Sequence, residues 1–274
     1  MAPASENRQA LPWIGPDDPP PFEVVNLEGK APVLLTCDHA SAAIPRALRR
    51  LGLEESVLSR HIAWDIGAGE MARALARRLD APAVLSGYSR LLIDCNRSLA
   101  SPTAIATEAD GVPIPGNANL APDERRMRAE AFYWPYHNAI ADRLADFNRR
   151  GVSPAVLSVH SFTPVLGGFE RPWQIGVLWD EDPRIAKPLM AILKDRHGVA
   201  IGDNQPYAGR DNYGYTMEHH VVKAGLPQVL VEIRQDLIDT RHGVEAWFGI
   251  LGPAFEEILS DPELYRQAWF AERR

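Results

Sequence analysis

Four apolar runs of the sequence end in residues that can take part in metal binding, proton transfer or anion binding. They are V-L-L-T-C-D-H, ending at His39; L-L-I-D-C-N-R, ending at Arg97; V-L-S-V-H, ending at His160; and V-L-V-E-I-R, which carries Glu232 and Arg234. Short apolar runs are typical of buried parallel strands, whose carboxyl ends converge at one edge of a doubly wound sheet. A single histidine at a strand end is ordinary, but four such ends predict a shared pocket.

Two of these residues suit a catalytic zinc site. Such a site has three protein ligands and an open fourth position, and the metal lowers the pKa of a water molecule bound there. His39 and His160 are the candidate histidines, and Asp65 is the carboxylate that we select. The local zinc motif H-E-x-x-H is absent. We expect Zn²⁺ or another divalent metal, while a carboxylate at a helix start is the structural alternative for Asp65.

Glu232 is an acidic residue within an otherwise apolar predicted strand. An ionised carboxylate buried there is costly without a partner. A general base beside a metal-bound water would explain it, and an ion pair with Arg234 is the structural alternative. Arg97 and Arg234 carry planar guanidinium groups that suit a substrate carboxylate or a developing oxyanion. A salt bridge is the structural alternative for either arginine.

Nucleophilic catalysis and nucleotide binding have less support. Ser41 and Ser161 lie near the candidate histidines, but neither belongs to a G-x-S-x-G motif. Cys37 and Cys95 precede the ends of their apolar runs, where we expect buried thiols. The sequence contains no P-loop, and no G-x-G-x-x-G follows a predicted strand.

Hydrophobic patterning predicts strands that alternate with helices. Met71, Leu75 and Leu79 recur at helical spacing and predict a helix with Asp65 near its beginning. The predicted strands span residues 33–36, 83–85, 91–93, 155–159, 174–179 and 228–233, and the predicted helices span 61–79, 121–150, 183–197, 214–224 and 244–259. This alternation indicates an α/β fold whose mixed, mostly parallel sheet has helices on both faces.

Two segments fall outside this alternation. Residues 1–30 are rich in proline with few periodic positions, which predicts an extended arm, and residues 31–274 are expected to form a single domain. Residues 98–120 have little helical periodicity. Loops of that length are usually functional lids or disordered.

Composition limits the possible partners and location. The chain has 274 residues, 46% of them hydrophobic, with a net charge of −7 and only two cysteines. No clustered basic surface for nucleic acid is visible, and no segment reaches the roughly 20 apolar residues that a membrane span needs. The N-terminal residues have no apolar core typical of a secretory signal, and two buried thiols suit a reducing compartment. We expect a cytoplasmic protein, and the sequence leaves its oligomeric state open.

The sequence resembles the N-formylglutamate amidohydrolase family, whose broader relatives include zinc carboxypeptidases and the succinylglutamate desuccinylase and aspartoacylase group. The resemblance extends from about residue 33 to residue 258. Its motifs are D-H-A-S-A-A-I-P at 38–45, S-R-L-L-I-D-C-N-R at 89–97, D-G-V-P-I-P-G-N at 110–117, H-S-F-T-P at 160–164, R-P-W-Q-I-G-V-L-W at 171–179, G-D-N-Q-P-Y at 202–207 and V-E-I-R-Q-D-L-I at 231–238.

The resemblance implies a three-layer α/β/α, phosphorylase/hydrolase-like fold and metal-dependent hydrolysis of an amide between an acyl group and an amino acid. Asn96 and Arg97 match the element that holds the substrate carboxylate in the carboxypeptidase group, and Glu232 matches that group's general base. That group has H-x-x-E as its first metal motif, whereas Ala42 stands three residues after His39 here.

The carboxylate ligand is therefore open between Asp38, Asp65 and Glu70, and Asp65 is our choice. We further expect Ser41, Arg90 and His220 to contact the substrate. The expected reaction is conversion of N-formyl-L-glutamate to formate and glutamate. A deacylase or peptidase for another N-acyl amino acid or small peptide, and a non-catalytic ligand-binding relative, are the alternatives.

Overall fold

The computed structural model describes residues 13–207 and 214–270. Residues 1–12 of the predicted arm and residues 271–274 of the predicted domain lie outside this part of the chain. The described strands are β1 (Phe22–Val25), β2 (Val33–Cys37), β3 (Ala83–Ser86), β4 (Glu108–Ala109), β5 (Val112–Pro113), β6 (Ala155–Phe162), β7 (Val165–Leu166), β8 (Phe169–Glu170), β9 (Ile175–Leu178), β10 (Ile201–Asp203) and β11 (Gln228–Arg234). The described α-helices are α1 (Glu55–Leu58), α2 (Ala68–Arg78), α3 (Pro122–Arg128), α4 (Trp134–Arg149), α5 (Ala186–His197), α6 (Tyr215–His220) and α7 (Arg241–Leu259).

Seven of the described strands form one mixed sheet in the order β1-β3-β2-β6-β11-β9-β10. The pairs β3–β2, β2–β6, β6–β11 and β9–β10 are parallel, and β1–β3 and β11–β9 are antiparallel. The prediction of a mixed, mostly parallel sheet is confirmed. Because β2, β6 and β11 are adjacent and parallel, their carboxyl ends meet at one place on the sheet edge.

Helices cover both faces of the sheet. Successive residues of a strand point to opposite faces, and in β2 this places Leu35 in the hydrophobic cluster that contains α2 and α7, and Leu34 in the cluster that contains α4. Both residues are fully buried, as expected for a strand between two helical layers. The predicted three-layer α/β/α fold is confirmed.

The predicted strand at residues 91–93 is wrong. These residues form a turn, in which the Leu92 amide donates to the Ser89 carbonyl and the Leu91 amide donates to the Ser89 hydroxyl. The run is apolar because Leu91, Leu92 and Ile93 are buried against the α4 side of the protein. A short buried turn and a buried strand have the same hydrophobic pattern, which explains the error.

The predicted helix at 121–150 is interrupted. A five-residue π-helical turn, Ala129–Tyr133, separates α3 from α4. Pro135, near the start of α4, has no N–H to donate to the preceding turn, which accounts for the local change in hydrogen bonding.

Residues 98–120 are held to the rest of the domain by buried polar side chains. The segment contains the short β4–β5 pair and a 3-10 turn at Pro115–Asn117. The Asn117 amide donates to the carbonyls of Leu91 and Ala106, and the buried Arg128 guanidinium donates to Asn117 Oδ1. These bonds join the segment to the turn that precedes residues 94–97.

The proline-rich segment also contributes to the sheet. Its strand β1 pairs with β3 and forms one edge of the sheet.

Among residues 13–207 and 214–270, no helix combines the length and apolar character needed to cross a bilayer.

Candidate active site

Three of the predicted side chains converge at the carboxyl ends of adjacent parallel strands. His39 follows β2 by two residues, whereas His160 and Glu232 lie within β6 and β11. The register of these two strands places Glu232 directly beside His160. Because β6 extends to Phe162, beyond the predicted end at residue 159, His160 is carried by the sheet itself, as is Glu232, which was predicted to lie within its strand.

Asp65 reaches the same point from the loop that precedes α2. Its amide donates to the His39 carbonyl at 3.0 Å. The predicted helix at 61–79 begins only at Ala68, because Gly67 has a left-handed conformation with φ of 78°. A β-carbon at Gly67 would also collide with the backbone carbonyl of Ile238. This glycine therefore allows the chain to present Asp65 to His39 and then enter α2.

Replacing Gly67 with Ala is expected to lower the free energy of unfolding by more than about 2 kcal/mol, because a strained φ adds to the collision with Ile238. Gly151→Ala is the matched control, since Gly151 has φ of 70° and no atom near its would-be β-carbon. It should cost only about 1–2 kcal/mol. Chemical denaturation of both variants checks the difference, and equal losses would show that the Ile238 contact is unimportant.

The donor atoms of His39, Asp65 and His160 face one another. Asp65 Oδ2 lies 3.3 Å from His39 Nδ1 and 2.8 Å from His160 Nδ1, and the three donor atoms all lie within 4.8 Å of one another. Zinc bonds of about 2.0–2.2 Å place neighbouring ligand atoms at similar separations. In the part of the chain that the structure describes, this is the one group of three such residues that could hold a metal ion.

The opposite nitrogen of each imidazole ring contacts a second carboxylate. His39 Nε2 lies 2.8 Å from Asp94 Oδ1, and His160 Nε2 lies 3.0 Å from Asp38 Oδ2. Both carboxylates are buried. Carboxylates in this position fix the tautomer and ring orientation of metal-binding histidines, so the donor set fits a divalent metal.

Glu232 lies in the same cavity as this group. It is 7% exposed, and its Oε2 atom has no hydrogen-bond partner among the described residues. Burial raises the pKa of Glu232 to about 7; His160 opposes this shift and Asp65 adds to it. A carboxyl group in this state can exchange a proton with a water molecule in the cavity near neutral pH.

One side of the cavity is basic. Arg90 lies 3.1 Å from Asp94 and 3.6 Å from Asp65, and although burial opposes its charge, these carboxylates raise its pKa above the usual value. Arg97 also lines the cavity, next to Asn96. The cavity therefore combines a group that could hold a metal ion, a buried carboxyl group with a raised pKa and cationic groups.

The family model described as N-formylglutamate amidohydrolase matches residues 31–239 of the chain. The chain belongs to this family. An N-formylglutamate deformylase from Pseudomonas putida is 28% identical to it in an alignment of 223 positions that covers 73% of this chain and 82% of that protein.

Two solved structures are similar to this chain in fold. The gene product Atu2144 from Agrobacterium tumefaciens is 37% identical, with a TM-score of 0.87 over 92% of this chain and 99% of that chain. An N-formylglutamate amidohydrolase from Ralstonia eutropha JMP134 is 17% identical, with a TM-score of 0.66 over 87% of this chain and 97% of that one. At that identity the second likeness concerns the fold alone.

In this N-formylglutamate amidohydrolase family member, most of the predicted site residues line one cavity. Those that do are His39, Asp65, Arg90, Asn96, Arg97, His160 and Glu232. Of the three candidate carboxylates, Asp65 is the one that faces both histidines through their Nδ1 atoms. The Glu70 side chain is 70% exposed and pairs with Arg73, and Asp38 lies on the far side of the His160 ring.

Ser41 and Arg234 are placed differently from the predicted cavity residues. The Ser41 hydroxyl accepts a hydrogen bond from the Ala43 amide within its own loop. The Arg234 guanidinium binds Asp236 at 2.7 Å and donates to the Arg171 carbonyl. Arg234 is therefore engaged with Asp236, and the alternative explanation of Glu232 as its ion-pair partner does not hold.

His220 contacts another histidine outside the cavity. Its Nε2 lies 3.0 Å from His137 Nδ1, and His137 Nε2 donates to the Cys95 carbonyl. Burial lowers the pKa of His220 to about 3, and the neighbouring His137 and His219 add to the effect. His220 thus packs as a neutral ring behind the segment that carries Asn96.

The structure adds cavity residues that the sequence did not single out. Tyr207 and Leu178 line it, and the Arg171 guanidinium lies over the Tyr207 ring at 5.2 Å. Asp94 was visible only as part of the D-C-N-R motif. Its role beside His39 depends on a turn, so strand periodicity could not reveal it.

Proposed function

We propose that this protein is a metal-dependent amidohydrolase that converts N-formyl-L-glutamate to formate and glutamate. The observation that carries the proposal is the buried Glu232 carboxylate, with one oxygen unpartnered among the described residues, in the same cavity as the His39–Asp65–His160 donor group. The family of the chain and the name of its Pseudomonas putida relative support the choice of substrate.

His39, Asp65 and His160 would hold the metal, and Zn²⁺ is the ion that this donor set suits best. When bound, the metal supplies a Lewis acid for attack on the formyl carbon. Glu232 accepts a proton from the attacking water at its free Oε2 atom. It then donates that proton to the departing amine nitrogen, which completes hydrolysis without a net change in Glu232.

Cationic groups in the cavity would bind the two carboxylates of the substrate. Arg97 and Asn96 are assigned to the α-carboxylate, and the Asn96 side chain is held in place because its Oδ1 accepts from the Thr216 amide at 3.1 Å. We assign the side-chain carboxylate to Arg90 rather than Arg234, because Arg90 is among the residues that line the cavity and Arg234 is not. Arg90 also pairs with Asp94, and its five N–H donors allow it to bind a substrate carboxylate as well.

The direct test is hydrolysis by purified protein loaded separately with Zn²⁺, Co²⁺ and Mn²⁺. N-formyl-L-glutamate should release formate and glutamate in equal amounts, and N-formyl-L-glutamine, which lacks the second carboxylate, should react more slowly. N-acetyl-L-glutamate tests the acyl group. Faster turnover of the acetyl substrate would indicate another N-acyl amino acid as substrate, and no product from any substrate with any metal would overturn the proposed activity.

Arg97→Gln is expected to raise KM for N-formyl-L-glutamate about 10- to 100-fold, with a smaller effect on kcat. The reason is that a hydrogen bond between charged groups contributes about 1.5–3 kcal/mol to binding. Arg126→Gln is the control, because Arg126 is 65% exposed and lies on α3. Steady-state kinetics checks both variants, and an unchanged KM for Arg97→Gln would remove it from substrate binding.

A further inference from the structure

Asp38 is a fully buried carboxylate behind the His160 ring. Its side chain is 0% exposed. Its Oδ2 atom lies 3.0 Å from His160 Nε2, and its Oδ1 atom accepts hydrogen bonds from the hydroxyls of Tyr136 at 2.8 Å and Thr216 at 2.5 Å. The two oxygens of Asp38 therefore have separate partners, since one faces the imidazole and the other is held by two hydroxyls.

We propose that Asp38, oriented by Tyr136 and Thr216, is a positioning residue that sets the tautomer of His160 for metal binding. This inference rests on the proposed function, since it assumes that His160 binds a metal. An ionised carboxylate has only acceptor atoms, so Asp38 requires a proton on His160 Nε2. The lone pair of the neutral ring is then on Nδ1, the atom that faces Asp65.

Three elements from different parts of the chain build this contact. Asp38 follows β2, Tyr136 belongs to α4, and Thr216 belongs to α6. The corresponding partner of His39 is different, since Asp94 also accepts from the Asn96 amide and pairs with the cavity-lining Arg90. Asp38 does not line the cavity, so its effect on the reaction passes through His160.

The two hydroxyls make Asp38→Asn an informative substitution. Tyr136 and Thr216 donate to Oδ1, so they favour the rotamer of the new amide that keeps its oxygen there. The amide NH₂ group then faces His160 Nε2 and donates to it. This forces the ring proton onto Nδ1 and removes the lone pair that the metal needs. We expect zinc affinity to fall about 10- to 100-fold, the range typical of changes to groups that orient metal ligands.

Removing the hydroxyls should have opposite effects in the two backgrounds. With Asp38 intact, Tyr136→Phe combined with Thr216→Val removes both hydrogen bonds to Oδ1. The carboxylate is then no longer held in the orientation that fixes the His160 ring, and zinc binding should weaken. In the Asp38→Asn background the same pair of changes allows the amide to rotate, so that its oxygen accepts from His160 Nε2. Zinc should then bind more tightly to the triple variant than to Asp38→Asn alone. A general loss of packing would make the triple variant worse.

Zinc affinity of the full chain, measured by competition with a chromophoric chelator, tests the proposal. Tyr88→Phe is the matched control, because the buried Tyr88 hydroxyl donates to the Pro19 carbonyl away from the site; it should leave zinc affinity unchanged. The absorption spectrum of bound Co²⁺ provides a second readout, since altered His160 ligation changes it. Thermal melts establish that each variant folds.

The outcomes separate this inference from the proposed function. If the unaltered protein binds zinc and Asp38→Asn binds it equally well, the role of Asp38 is wrong while the metal site stands. If the triple variant binds zinc no better than Asp38→Asn, the tautomer argument is wrong. Failure of the unaltered protein to bind zinc would overturn both the metal site and the inference.

Discussion

Glu232→Gln is expected to lower kcat for N-formyl-L-glutamate hydrolysis by about 10²- to 10⁴-fold, the contribution typical of a general base. The amide has nearly the same shape as the carboxyl group but cannot accept the proton of the attacking water. Glu232 is not one of the three residues assigned as metal ligands, so zinc content should stay the same. Steady-state kinetics and elemental analysis of the same preparation measure the two quantities.

The control for this variant is Glu256→Gln, which removes an exposed carboxylate that pairs with Arg78 on the protein surface. It should leave kcat unchanged. Because Glu232 is buried and one of its oxygens has no hydrogen-bond partner within residues 13–207 and 214–270, its replacement should not reduce the melting temperature of the metal-free protein. Full activity in Glu232→Gln would require a different proton acceptor, and loss of zinc together with activity would point to a ligand role.

Asp65→Asn is expected to reduce zinc affinity more than about 100-fold. Changes to groups that only orient a metal ligand typically reduce it about 10- to 100-fold, and Asp65 is assigned as a ligand itself. Hydrolysis should fall in parallel at limiting zinc. The amide keeps the size of the side chain but lacks the negative charge that would bind the metal cation between the two imidazole rings. Chelator competition and kinetics as a function of zinc concentration measure the effect.

Glu70→Gln is the matched control for Asp65→Asn, because Glu70 was one of the three carboxylates left open by the sequence and lies only five residues away. It is exposed and pairs with Arg73. Its replacement should change neither zinc affinity nor kcat. If Glu70→Gln lost zinc and Asp65→Asn kept it, the assignment of the carboxylate ligand would be reversed.

The convergence of His39, His160 and Glu232 could be predicted because it follows from a local pattern and a topological rule. Each lies at or near the end of an apolar run, and adjacent parallel strands bring such ends together. The position of Asp65 is harder to predict, because Gly67 interrupts the predicted helix 61–79 before Ala68 and the sequence pattern does not show the conformation of the residues that precede it. The contact of Asp65 with both histidines depends on that turn.

Arg234 and the 91–93 segment show where sequence patterns stop being informative. Arg234 lies at the end of β11, as the strand pattern predicts. Its long flexible side chain can reach several partners, however, and it binds Asp236 rather than lining the cavity. Residues 91–93 form a turn, but they are all buried and therefore apolar, so their composition resembles that of a buried strand. The burial of residues 91–93 depends on tertiary contacts outside the local sequence, whereas Arg234 binds a neighbour two residues away that strand periodicity does not identify as its partner.

Some residues of the cavity lie on central strands and others lie in a loop, and we expect this difference to set the order in which parts of the protein unfold. His160 and Glu232 are carried by β6 and β11 in the middle of the sheet, whereas Asn96 and Arg97 lie in a loop. Central strands separate only on global unfolding, while loops open at lower free energy. In mild denaturant, the amide hydrogens of β6 and β11 should therefore exchange last, and the protein should lose affinity for N-formyl-L-glutamate before these strands exchange.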